Sequence, residues 1–211
     1  MREECLVEDA TEEYKGFTIK IYQDQDPLNP VTDYDMLGKF ICWHRHYDLC
    51  SKGEAEKFRD ADSFREFVEA EHPIVLPLYL MDHSGISIST DSAPFRMCDS
   101  AGWDWGQVGY VYCSLEDVKK EYSCKVVTPT IRKKVIKLLN AEVEEFDNYL
   151  RGEVYGYVVE DAEGNHIDSC WGFSGWKYAE KEMKQQGRDA IDYEIKKQRE
   201  WNRNLVRTFA D

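Results

Sequence analysis

The side chains with chemical potential fall into a few small groups. His44-x-His46 and Asp82-His83 supply imidazoles and a carboxylate. With Asp99 or Asp104 from further along the chain, His44, Asp82 and His83 could form a His/carboxylate metal site of the hydrolase kind, where an open coordination position activates water. A His-x-His pair set between Trp43 and Tyr47 suits packing and hydrogen bonding equally well. His83-Ser84-Gly85 puts a hydroxyl beside an imidazole, but a nucleophilic serine needs a strained elbow and a base held elsewhere in the sequence, and no Gly-x-Ser-x-Gly is present. Asp82 and Ser84 are better explained as turn residues whose side chains bond the backbone.

Thiols and phosphate loops add little. The seven cysteines, at positions 5, 42, 50, 98, 113, 124 and 170, are odd in number and contain no Cys-x-x-Cys pair. This argues against a disulfide framework or a cysteine-rich zinc module and for reduced thiols in a cytosol. Of the candidate nucleophiles Cys98, Cys113 and Cys170, the first stands beside Asp99 and the last in a strand-like run, and neither setting favours a thiolate. Neither a Walker pattern nor Gly-x-Gly-x-x-Gly occurs, so no nucleotide cofactor is implied. Lys196, Lys197, Arg199, Trp201, Arg203 and Arg207 interleave charge and an aromatic, but at helical spacing they describe a solvated helix with an apolar stripe.

The candidate site is positioned by two strand-like runs, Ile74 to Met81 and Val108 to Cys113. Between them lie Asp82 to Gly85, a short alternation, and Asp91 to Gly106, an irregular stretch of about 15 residues, a length compact domains rarely carry without function. Phe95, Met97, Cys98, Trp103 and Trp105 are too apolar for a linker. The stretch is therefore expected to pack on the body and to hold Asp91, Asp99 and Asp104 in fixed places. Asp82-His83-Ser84-Gly85 and Trp103-Asp104-Trp105 are expected to meet, because they flank a shared strand.

Elsewhere, Gly16 to Gln23, Gly38 to His46, Val154 to Glu160 and His166 to Phe173 have strand periodicity, the last two joined by Asp161 to Asn165 as a hairpin. The Gly38 to His46 run would place Phe40, Cys42, His44 and His46 on one face. Pro77 conflicts with an interior place for Ile74 to Met81 and demands an edge or a bulge. Helices are expected from Asp62 or Ser63, from Ser114 to Tyr122, and from Thr128-Pro129 to Gly152. A long C-terminal helix runs from Trp176 past Trp201, Leu205 and Phe209, with Gly187 as a break or kink. Strands in neighbouring pairs predict an α+β fold, an antiparallel or mixed sheet with helices mainly on one face. Residues 1–175 would form one domain, with 176–211 packed on it.

The charge balance is the strongest global property. A net charge of −14 over 211 residues disfavours direct contact with nucleic acid or anionic membranes and favours a basic protein partner. The acids Glu142, Glu144, Glu145 and Asp147, late in the Thr128 helix, with Asp24, Asp26, Asp33 and Asp35, could imitate phosphate spacing. The longest apolar run is far below the roughly 20 residues of a membrane span, and Met1 to Asp9 is acidic, unlike a leader. A cytoplasmic protein is expected.

Several phrases together carry a resemblance: Cys42-Trp43-His44 with Tyr47, Leu78-Tyr79 leading to Asp82-His83-Ser84-Gly85-Ile86, Trp103-Asp-Trp-Gly-Gln-Val-Gly-Tyr110, Gly152 to Tyr157, and Asp168-Ser-Cys-Trp-Gly-Phe173. Over roughly Leu37 to Tyr193 the chain resembles a family of small, largely uncharacterised proteins encoded by bacteriophages and integrated mobile elements. The resemblance implies a non-enzymatic accessory protein of a bacterial host cell that binds and inhibits a host protein. An acidic, DNA-mimic-like inhibitor of a nucleic-acid-handling defence system (anti-CRISPR or anti-restriction) is the sharpest form of that expectation. The partner-binding candidates are Asp82, His83, Asp99, Trp103, Asp104, Trp105, Glu142, Glu144, Glu145 and Asp147. The competing expectation is a small metal-dependent hydrolase using His44, Asp82 and His83.

Overall fold

The computed structural model describes residues 5–208; Met1–Glu4, part of the acidic N-terminal segment, and Phe209 lie outside the described residues. The chain forms two compact units, one made of residues 1–27 with 152–211 and the other of residues 28–151. A single domain over 1–175 with an appended helix is thus not the organisation found. The C-terminal helix belongs to the same unit as the first strands, and residues 28–151 are inserted into that unit.

The first unit begins with β1 (Cys5–Leu6), β2 (Glu12–Tyr14) and β3 (Phe17–Gln23). The inserted unit follows, with α1 (Pro30–Asp33), β4 (Lys39–Cys42), α2 (Glu54–Lys57), α3 (Ala61–Glu71), β5 (Ile74–Asp82), β6 (Ile86–Ser89), α4 (Ala93–Cys98), β7 (Trp105–Cys113), α5 (Leu115–Glu121) and α6 (Pro129–Leu150). The chain then returns through β8 (Val154–Glu160), β9 (His166–Ser174) and α7 (Trp176–Thr208) to complete the first unit. The class is α+β and both sheets are antiparallel.

In the first unit the strands lie in the order β1-β3-β8-β9, with β2 also paired to β3. Alternation along β3 and β8 turns Ile19, Ile21, Tyr157 and Val159 inward, where they meet Ala179, Met183 and Ile191 of α7. Gly187 does not break α7. A Cβ there would stand 3.0 Å from Ile19 Cδ1, so the glycine lets the helix approach the sheet. Gly156 in β8 makes room for a neighbour of its own sheet, since the ring of Trp171 in β9 lies where its side chain would be.

In the inserted unit the order is β4-β7-β5-β6. Phe40, Leu78, Leu80 and Val111 face Val135, Leu139, Val143 and Phe146 of α6. Ile41 and Tyr112 point the other way, towards Phe58 and Phe64. The cap of α3 is Asp60, reciprocally bonded with Ser63, two or three residues before the expected Asp62 or Ser63. Pro77 meets both of its conditions. It lies in the part of β5 that β6 does not reach, next to a register shift at Leu78/Tyr79 that leaves Val108 as the extra residue of a bulge.

Candidate functional site

The site lies at one end of the inserted sheet, where the β5–β6 turn meets the segment that enters β7. β7 begins at Trp105, earlier than its apolar run suggests, and pairs Trp105 with Met81 and Gly106 with Leu80. The Asp82 N–H donates to Asp104 O at 2.7 Å, which extends the pairing by one bond. The two segments expected to meet are therefore joined by the β-ladder itself. His83 Nδ1 and Asp104 Oδ2 are 2.8 Å apart across this junction. The turn is closed by positive φ at Ser84 and Gly85, not by the Asp82 side chain, which accepts from Tyr47 Oη at 2.9 Å.

Asp99 organises the tip of the long segment. Its carboxylate accepts from the N–H groups of Trp103 at 2.6 Å, Asp104 at 3.0 Å and Ala101 at 3.0 Å, while its carbonyl accepts from Trp105 Nε1 at 2.8 Å. The N–H bonds, that of Asp104 foremost, hold the Asp99 carboxyl below the ordinary aspartate value. The stretch also contains a short helix, α4, which starts at Ala93, where the Asp91 side chain accepts from the Ala93 N–H, and has Pro94 in its first turn.

Burial separates the apolar residues of this segment into two sets. Phe95 is buried and Trp105 is half-buried against Tyr79, as packing on the body requires. Met97 and Trp103 are 87% and 88% exposed, and Cys98 is exposed too. The expectation that all of them pack inward fails for a geometric reason. On α4, Phe95 and Met97 are two positions apart and point to different sides, and Trp103 sits on a turn whose backbone is fixed by Asp99.

The strand expected over Gly38 to His46 ends at Cys42, and His44 and His46 lie on the loop that follows. His44 stacks on Tyr47 at 5.0 Å between ring centroids, and its Nδ1 accepts from His46 N–H at 3.3 Å. Between this loop and the β7 entrance is an open groove of about 530 Å³, bordered by His44, Arg45, His46, Asp82, Trp103 and Asp104. His44, Asp82 and His83 do not form a ligand set. Asp82 is committed to Tyr47 and His83 to Asp104, and among the described residues no group of three or more His, Cys, Asp or Glu side chains could hold a metal ion.

No family model, curated protein or solved structure matches this chain. The assignment of roles therefore rests on its own geometry.

The acids of α6 divide in the same way as the apolar residues. Glu142 is buried, and its two oxygens accept from Leu37 N–H at 2.7 Å and Gly38 N–H at 2.9 Å. Asp147 Oδ1 accepts from Ser87 Oγ at 2.8 Å and Ile88 N–H at 2.7 Å. Both carboxylates hold α6 to loops and strands of its own unit, which corrects their place among partner-facing residues. Glu144 is exposed and Glu145 half-exposed, so the α6 row is not a run of free phosphate-like charges. The i, i+3 and i, i+4 offsets of Glu142 from the buried Leu139 and Phe146, and of Asp147 from the buried Val143, were the signal in the sequence that these two face the core. Tyr47 was not picked out as a site residue. Nothing in its spacing forecasts the bond to Asp82.

Proposed function

We propose that the protein is a non-enzymatic accessory protein that works by binding a host protein, with the Met97–Trp103 tip as its anchor. One observation carries the proposal: Trp103 is 88% exposed although its backbone is held by Asp99. A large aromatic held ready in the open forms an interface centre with little ordering cost, and tryptophan is enriched among residues that dominate binding energy. The groove next to it, with Arg45, Asp82 and Asp104, supplies a polar rim.

The net charge of −14 favours a basic partner surface. Together with the phage and mobile-element resemblance, it supports inhibition of a nucleic-acid-handling defence protein in the bacterial cytoplasm as the role. The attraction would come from the overall charge and not from a phosphate-like row on α6. The hydrolase reading gains nothing from the geometry, because its three ligand candidates are bonded to other groups.

The test is copurification from host lysate followed by binding measurements on the recovered protein. Trp103→Ala is expected to weaken binding by tenfold or more, with thermal unfolding unchanged. Unaltered affinity for Trp103→Ala and Met97→Ala alike would remove the tip from the interface.

A further inference from the structure

β4 is an edge strand, and its open side is closed in an uncommon way. Ser51 N–H donates to Phe40 O and Ser51 Oγ accepts from Phe40 N–H, both at 2.9 Å. One step along, Cys50 Sγ accepts from Cys42 N–H at 3.3 Å and donates to Cys42 O at 3.3 Å. The side chains of a Cys-Ser dipeptide thus help to stand in for a missing strand. Cys42 Sγ itself accepts from His44 N–H at 3.4 Å. Cys50 Sγ therefore touches both polar backbone atoms of the residue that carries the second thiol. A disulfide needs Cβ atoms about 3.5–4.5 Å apart. The Cys50 side chain already lies against the Cys42 backbone, and closure brings the two sulfurs together from there.

We propose that Cys42 and Cys50 are a redox modification site, a thiol pair that closes to an intrachain disulfide by exchange with a low-molecular-weight disulfide such as oxidised glutathione. The half-buried Cys50 is the entry point, because Cys42 is buried. Cys50 thiolate attacks one glutathione sulfur, giving a mixed disulfide and releasing one glutathione thiolate. Cys42 thiolate then attacks Cys50 Sγ, forming the Cys42–Cys50 bond and releasing the second glutathione. Two protein thiols are oxidised, one glutathione disulfide is reduced, and the protons pass to the departing thiolates. Closure removes the Cys50 thiol proton from Cys42 O and ties down the loop that carries His44, His46 and Tyr47. Burial raises both thiols above the ordinary cysteine value, so closure is slow near neutral pH and accelerates as pH rises.

The experiment uses the full chain with Cys5, Cys98, Cys124 and Cys170 replaced by serine, equilibrated with graded mixtures of reduced and oxidised glutathione, then quenched with acid and alkylated. Mass spectrometry should show a species that has lost two hydrogens and resists alkylation at Cys42 and Cys50. Adding Cys50→Ser, whose hydroxyl can make the same two bonds to Cys42, should preserve folding and abolish that species. If the serine background does not fold, peptide mapping of the oxidised wild-type chain gives the same answer through a Cys42–Cys50 cross-linked peptide. Two outcomes would overturn the proposal: both thiols alkylated after equilibration with oxidised glutathione alone, or a glutathione adduct on Cys50 that never resolves onto Cys42.

Discussion

Trp103 and Trp105 are two residues apart and should behave as opposites. Trp105 is half-buried, bonds Asp99 O through Nε1 and packs edge-on to Tyr79. Its truncation to alanine is expected to cost about 2 kcal/mol, below the roughly 3–5 kcal/mol of a fully buried aromatic. Trp103→Ala should stay within about 0.5 kcal/mol of wild type, as an exposed side chain does. Urea unfolding of the two variants measures this contrast, and equal costs would show that the tip is not free. Asp99 has its own pH signature. Its folded pKa lies below the ordinary 3.8, so the stability it gives the tip is complete above 3.8 and is lost as pH falls through the folded value. Amide chemical shifts of Trp103 and Asp104 should move in that acidic window in the wild type and not in Asp99→Asn.

At the scale of elements, Glu142 acts as a peg between α6 and the start of β4. Glu142→Ala would leave the N–H groups of Leu37 and Gly38 without their acceptor, a loss of about 1–3 kcal/mol. Burial raises this carboxyl above its ordinary value, an effect the two N–H bonds only partly offset. The native state then holds the proton more tightly than the unfolded chain, so this group's contribution is greatest below the ordinary 4.5 and falls as pH rises through the folded value. The stability difference between wild type and Glu142→Gln should shrink over that range, as read from urea midpoints at a series of pH values. Helix α6 was legible from Thr128 to Gly152 because its caps and apolar spacing agree, and the same spacing marks Glu142 as core-facing, but the backbone N–H groups that Glu142 bonds were not legible. A glutamate at a core-facing position looks the same in sequence whether it is solvated or bonded to a distant backbone. The strand over Gly38 to His46 was read too long for a related reason: alternation continues through His46, but the chain turns away after Cys42 and the Cys50-Ser51 pair takes over its edge. Pro77 was read well, because a missing N–H is a local constraint that any sheet must respect.

For the whole molecule, the insertion could not be read from the sequence. Pro27 and Pro30 at one crossing and Gly152 at the other punctuate the chain, but they look the same in sequence as ordinary turns, and β3 and β8 become neighbours only through contacts between distant parts of the chain, Gln23 with Tyr155 and Asp24 N–H with Val154 O at 2.8 Å. That pairing yields a prediction. If β3 and β8 form an antiparallel pair whose ends meet at Gln23 and Tyr155, residues 28–151 can be replaced by a short Gly/Asn turn that makes the two strands a hairpin. The core of Ile19, Ile21, Tyr157, Val159, Met183 and Ile191 lies wholly outside the insertion and is retained. The shortened chain should fold cooperatively, with dispersed amide resonances and a single thermal transition. Residues 28–151 alone should fold as well, since their sheet is packed by α6 on one face and by Phe58 and Phe64 on the other. Failure of both pieces would mean that neither unit has a sufficient core of its own. Success of the inserted piece would also place the function, because the Trp103 tip and its groove lie in that unit, and it should keep the wild-type affinity for a protein recovered by copurification. Its binding should weaken with added salt less steeply than that of the full chain, because the piece carries only part of the net charge of −14 and long-range attraction is screened over about 10 Å at 0.1 M salt. Identical salt slopes for the piece and the full chain would limit electrostatic attraction to charges within residues 28–151.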